Sequence, residues 1–139
     1  MRFTVYKNPT SISEIKSHDL ILFPADCISA GRVRGKDNYK KFYTELIEHF
    51  NLNDIYTMRN EHRKQPNKAI FQDIAKEGSV TVLTPLFESK TWSDDTTIVI
   101  AMFCKYTYND PIDYDMLKKC INNVENETFE SVNPCIVYI

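Results

Sequence analysis

The sequence predicts a layered α/β domain, a mixed β-sheet flanked by helices. Two apolar runs, Asp19-Leu20-Ile21-Leu22-Phe23 and residues 97–106, read as strands buried on both faces of a sheet. Residues 37–50 and 113–126 instead carry their apolar side chains at helical spacing, which gives each one apolar face. Strands without a polar face need helices on both sides, and that is the α/β layer arrangement. A length of 139 residues suits a single domain spanning 1–139.

The elements follow in order. Residues 3–6 form a short strand and residues 12–16 a helical turn. The strand at 19–23 ends at Pro24, and residues 25–35 follow as a loop holding two of the three glycines. In the helix 37–50, Tyr39, Phe42, Tyr43, Leu46, Ile47 and Phe50 share one face. Residues 52–68 are the most polar and least periodic part. They read as a surface connection, with Arg59, His62, Arg63 and Lys64 as a solvated basic cluster. A second helix is expected over 68–76, stopped by Gly78. Strands at 79–83 and 97–106 are expected to pair as a hairpin, so the sheet is mixed rather than purely parallel. The turn between them, 90–96, carries Trp92 among polar neighbours, a candidate protein-contact anchor. Met116, Leu117, Cys120, Ile121 and Val124 stripe the helix at 113–126. Asp110 or Asp113 caps it, with Pro111 near its start. Residues 134–139 are a final strand.

Composition excludes several classes. Net charge is −2 with acids and bases interleaved, so the basic footprint of a nucleic-acid binder is missing. No apolar stretch approaches the roughly 20 residues of a bilayer span, and no signal-peptide pattern precedes the first strand, so a cytoplasmic protein without membrane contact is expected. The four cysteines are scattered, with no CxxC pair and no Cys/His ligand spacing. They read as small buried hydrophobes. No metal or cofactor is expected.

The segment Pro24-Ala25-Asp26-Cys27-Ile28-Ser29-Ala30-Gly31-Arg32-Val33-Arg34-Gly35 joins a buried strand to a long helix, where α/β proteins hold ligands. Gly31 and Gly35 allow sharp turns around a phosphate, and Ser29, Arg32 and Arg34 supply donors. The spacing is neither GxGxxG nor a Walker A loop. Asp26 is the candidate general base or ligand-orienting group, while no histidine stands in a recognisable arrangement with Cys27. Tyr106, at the end of the long strand, is a candidate for covering a base or ribose.

On these residues the chain resembles a divergent macro domain, an ADP-ribose-binding fold. It is most similar to the subclass that removes ADP-ribose from acidic side chains. Asp19-Leu20-Ile21-Leu22-Phe23-Pro24-Ala25-Asp26-Cys27, then Ala30-Gly31-Arg32-Val33-Arg34-Gly35, stand where that subclass has a strand, a Cys-containing acidic turn and a glycine loop. Gly78-Ser79-Val80-Thr81-Val82-Leu83 and Ile98-Val99-Ile100-Ala101-Met102-Phe103-Cys104-Lys105-Tyr106 resemble its hairpin strands, and Asp113-Tyr114-Asp115-Met116-Leu117-Lys118-Lys119-Cys120 the following helix start. The resemblance implies ADP-ribose contacts from Asp26, Ser29, Gly31, Arg32, Arg34, Gly35 and Tyr106. Two departures stand out. Tyr6-Lys7-Asn8-Pro9 replaces the early acidic residue that contacts adenine in the family. The sequence stops at Ile139, where the family continues into a second glycine-rich loop carrying the catalytic acid, so no catalytic residue is carried over.

The expectation is therefore a C-terminally shortened, non-enzymatic interaction or regulatory module that contacts a host or regulatory protein. The alternative is a binder of ADP-ribose or a related nucleotide with weak de-ADP-ribosylating activity. Small size and a Lys/Asn/Ile/Tyr-rich composition also suit a phage-encoded accessory protein.

Overall fold

β2 (Leu20–Asp26) is buried at every position, and the domain is arranged around it. The computed structural model describes residues 2–31, 37–64, 75–85, 97–126 and 133–139. Besides β2 these form β1 (Thr4–Lys7), a 3-10 turn (Ile12–Glu14), α1 (Asp37–Phe50), α2 (Ile55–Lys64), β3 (Val80–Val82), β4 (Ile98–Lys105), α3 (Tyr114–Asn126) and β5 (Pro134–Tyr138). The five-stranded sheet has the order β1-β5-β2-β4-β3. β1, β5, β2 and β4 are mutually parallel, and β3 runs antiparallel to β4. The fold is thus α/β with a mixed sheet.

The two apolar runs are continuous because each strand serves two cores. Ile21, Phe23, Val99, Ala101 and Phe103 face Tyr39, Phe42, Tyr43 and Leu46 of α1 and Tyr56 of α2. Leu20, Leu22, Ile100, Met102 and Cys104 face Leu117, Cys120 and Val124 of α3. A parallel sheet covered on both sides has no solvent face on which polar residues could alternate. α3 begins as its sequence dictates: the Asp113 carboxylate accepts from the backbone N–H groups of Asp115 at 2.9 Å and Met116 at 3.1 Å. α1 closes at Asn51, whose φ of 51° is a conformation asparagine tolerates better than most residues. No described helix is long and apolar enough to cross a membrane.

Two expectations are corrected. The strand expected to end at Pro24 runs on through Asp26, so Ala25 and Asp26 are strand rather than loop. Proline in a central strand removes a ladder donor. Here the β5 ladder on β2 ends at Leu22, and the Tyr39 hydroxyl donates to the Pro24 carbonyl at 2.9 Å. Secondly, most of the polar segment 52–68 is not a surface connection. Residues 55–64 form α2, which begins over the Asp54 side chain: its Oδ1 accepts from the N–H groups of Tyr56 and Thr57 at 3.0 and 3.3 Å. The helix expected at 68–76 lies mostly outside the described residues, and Ala75 and Lys76 are not helical.

At the amino end of the sheet, buried His18 ties three strands. Its Nδ1 lies 2.9 Å from the Asn133 carbonyl, which only accepts, so Nδ1 carries a proton. Its Nε2 lies 2.7 Å from the Tyr6 hydroxyl.

Gly78 sits in the turn before β3 at φ +81°, donates to the Phe103 carbonyl at 2.9 Å, and would place a Cβ 2.9 Å from Cβ of Lys119. Gly78→Ala meets both backbone strain and a close contact with α3. It is expected to cost about 1–2 kcal/mol, read as a lower urea midpoint at unchanged m-value.

Candidate functional site

The carboxyl ends of β2 and β4 lie side by side, and the chain leaves them for opposite faces of the sheet, to α1 and to α3. In open α/β sheets ligands gather at such ends. The register shifts between Ala25 and Asp26, which pair with Phe103 and Lys105, so β4 carries an extra residue there. Bulges of this kind re-aim side chains at strand ends.

Asp26 reaches Arg59 of α2, and both side chains are 0% exposed. Their closest atoms, Arg59 Nη1 and Asp26 Oδ1, are 3.8 Å apart. The guanidinium also donates to the carbonyls of Asp26 at 2.9 Å and Ser29 at 3.0 Å. It lies 5.5 Å from the Phe103 ring centroid and 5.9 Å from that of Tyr56. Asp26 Oδ2 in turn accepts from the backbone N–H of Ser29 at 3.0 Å and from the Ser29 hydroxyl. Gly31, at φ +86°, donates its N–H to the Tyr56 carbonyl at 2.9 Å. Arg59 is thus the peg that fastens α2 to the end of β2 and to residues 26–31. This corrects the reading of Arg59 as part of a solvated cluster. On a helix Arg59 follows Ile55 by four residues and Tyr56 by three, so it shares their buried face.

Tyrosines extend this cluster. The Tyr39 and Tyr56 hydroxyls lie 2.8 Å apart, and Tyr43 donates to Asp54 at 2.9 Å. Burial pushes all three phenols upward in pKa; behind burial, Tyr56 is raised by nearby Asp26 and Tyr43 by Asp54. At neutral pH they are protonated, hydrogen-bonding struts.

Beside this cluster a cleft of about 240 Å³ opens between Tyr39 of α1, Lys105 at the end of β4, residues 108–112, and Ile139 after β5. Lys105 is only 8% exposed, and its ammonium lies 4.9 Å from the Tyr39 ring centroid. On the other side of the 106–113 loop, an open groove of about 510 Å³ runs along Tyr106 and the start of α3.

The candidate residues therefore separate. Asp26 is enclosed in the Arg59 cluster, with Ser29 and Gly31 beside it. Tyr106 lines the groove with an exposed ring, while its carbonyl accepts from the Cys27 N–H beside Asp26 at 3.1 Å. Arg32, Arg34, Gly35 and Trp92 lie outside the described residues. Tyr39 and Lys105, which bring a ring and a cation to one cleft, were not singled out by sequence. The signal for Lys105 was parity: counted in twos along β4 it follows Val99, Ala101 and Phe103 onto the α1 face. Among the described residues no group of three or more His, Cys, Asp or Glu is placed to hold a metal ion.

Compared with known protein families, curated proteins and solved structures, the chain matches none.

Two outcomes are expected. Arg59→Met leaves the Asp26 carboxylate buried without its partner and should cost about 3–5 kcal/mol. Adding Asp26→Asn should return about 1 kcal/mol or more of that loss in a denaturant double-mutant cycle; additive losses would show that the two groups are not coupled. Burial pushes the Cys27 thiol up to about 11, and those of Cys104, Cys120 and Cys135 up to about 12. All four are buried. At pH 8 iodoacetamide should label none of them in the folded protein over the time that labels all of them in urea.

Proposed function

We propose that this protein is a binding module whose ligand is a small anion carrying a planar ring, a nucleotide or ADP-ribose-like molecule. The observation that carries the reading is Lys105, a nearly buried ammonium held beside an aromatic ring in a cleft at the carboxyl edge of parallel strands. A cation shielded from water attracts a phosphate more strongly than one on the open surface. The buried Tyr39 ring braces Lys105 and is itself fixed by its hydroxyl, which is engaged by Pro24 and Tyr56. Tyr108 and Asn109 line the same cleft and offer a ring and an amide able both to donate and to accept, while the carboxylate of Asp110, which also lines it, accepts from the Thr107 N–H at 3.1 Å. The macro-domain resemblance of the sequence points to the same ligand class. Binding rather than turnover is favoured because Asp26, the candidate general base or ligand-orienting group, is enclosed by Arg59 and Ser29.

Calorimetric titration with ADP-ribose, AMP and adenosine tests this. AMP and ADP-ribose should bind more tightly than adenosine. Lys105→Met should weaken AMP by about tenfold or more while leaving adenosine nearly unchanged. Tyr108→Ala, which spares the core, should weaken all three. Absence of heat with every ligand, or equal AMP binding by the Lys105→Met protein, would overturn the reading.

A further inference from the structure

The groove beyond the 106–113 loop has a character different from that of the cleft. Its walls carry Tyr106 and Tyr114, which are 48% and 78% exposed. Among the described residues only three large hydrophobic side chains are so open, and two of them meet on this one groove. A third ring stands close by: the Tyr138 phenol is raised in pKa by burial and then by the neighbouring Tyr114. Exposed tyrosines gathered at one concave surface are costly to leave in water and are typical of contact surfaces.

The charge of the groove selects its occupant. Asp110, Asp113 and Asp115 line it together with the two rings. Lys105 contributes to its floor, but that ammonium lies over Tyr39 in the neighbouring cleft. Lys118 and Lys119 fall one turn further along α3, outside the lining. Aromatic faces attract cations through their quadrupole, and carboxylates reinforce that attraction. A phosphate or an acidic peptide would meet three like charges here.

We propose that this groove docks a basic protein segment, with a Lys or Arg side chain seated between Tyr106 and Tyr114 and its charge directed to Asp110, Asp113 and Asp115. The open trough of about 510 Å³ along a loop and a helix start suits an extended peptide more than an enclosed small molecule. This surface adjoins the Lys105 cleft and shares Lys105, Asp110, Pro111 and Ile112 with it, but Tyr106 and Tyr114 belong to the groove alone, and the proposal does not depend on a nucleotide binding in the cleft.

The test is fluorescence anisotropy with two labelled ten-residue peptides, one of alternating Arg and Gly and one of alternating Glu and Gly. The basic peptide should bind and the acidic one should not, and added salt should weaken the binding. Tyr114→Ala and Tyr106→Ala should each weaken the basic peptide by about fivefold or more. Asp110→Asn with Asp115→Asn should do likewise; Asp113 is kept because it caps α3. Both tyrosines are largely exposed, so an unchanged melting temperature is expected for their variants. Tyr108→Ala, at a position that lines the cleft but not the groove, should leave peptide binding in place, which separates this result from that of the nucleotide titration. No binding of the basic peptide, equal binding of the acidic one, or full binding by the Tyr106→Ala/Tyr114→Ala double variant would overturn the proposal. So would self-association in sedimentation that Tyr114→Ala abolishes, since the occupant would then be a second copy of the chain.

Discussion

The contact between Arg59 and Asp26 determines how the helical layer meets the end of the sheet. Neither group tolerates burial alone, because an ion taken out of water needs compensating partners. Their compensation comes from the chain itself: two carbonyls and two rings around the guanidinium, and the Ser29 N–H and hydroxyl on Oδ2 of the carboxylate, whose Oδ1 faces the Arg59 charge at 3.8 Å and has no hydrogen bond among the described residues. Much of this arrangement is therefore geometric. α2 can sit in one orientation only, and residues 26–31 can take one path only, if both charges are to keep their partners. The apolar contacts of Ile55 and Tyr56 supply burial, while the ion pair supplies the register in which that burial occurs.

The sheet was legible in the sequence because its signals are local. An unbroken apolar run means a strand covered twice, and the runs at β2 and β4 are such strands. The stripes on α1 and α3 were equally plain, and of the two candidate caps, Asp110 and Asp113, it is Asp113 that holds the start of α3. α2 was hidden because its polar exterior dominates ten residues and its buried stripe includes an arginine. Charge made the segment look solvated, whereas helical periodicity with Arg59 counted as an inward position restores it. The end of β2 was misread for a related reason. Pro24 is a poor strand residue wherever both neighbours are paired, and only the register shows that β5 has already parted from β2 at Leu22.

The candidate site was less legible because it is assembled from distant segments. Tyr39, Lys105, Tyr108 and Ile139 come together only through the parallel order of the strands. A scan for glycine loops selects residues 26–35, since short motifs are contiguous by construction. Asp26 was singled out as a candidate general base or ligand-orienting group, and its burial beside Arg59 explains why an acid stands at the end of an apolar strand. Tyr106 was noticed as a strand-end aromatic; its exposure assigns it to the groove rather than to the core.

Among the described residues β1 occupies an edge of the sheet, with β5 as its one neighbour. The register Thr4↔Cys135 to Lys7↔Tyr138 joins the earliest strand to one made more than a hundred residues later. His18 faces the same delay, for its Asn133 carbonyl is also late to arrive. During synthesis β2, α1, α2 and β4 can assemble while residues 4–7 have nowhere to dock. The interior edge of β2, from Leu20 to Leu22, stays open for the same interval. The insertion of β5 therefore closes two seams at once, making it the step on which the completed sheet waits.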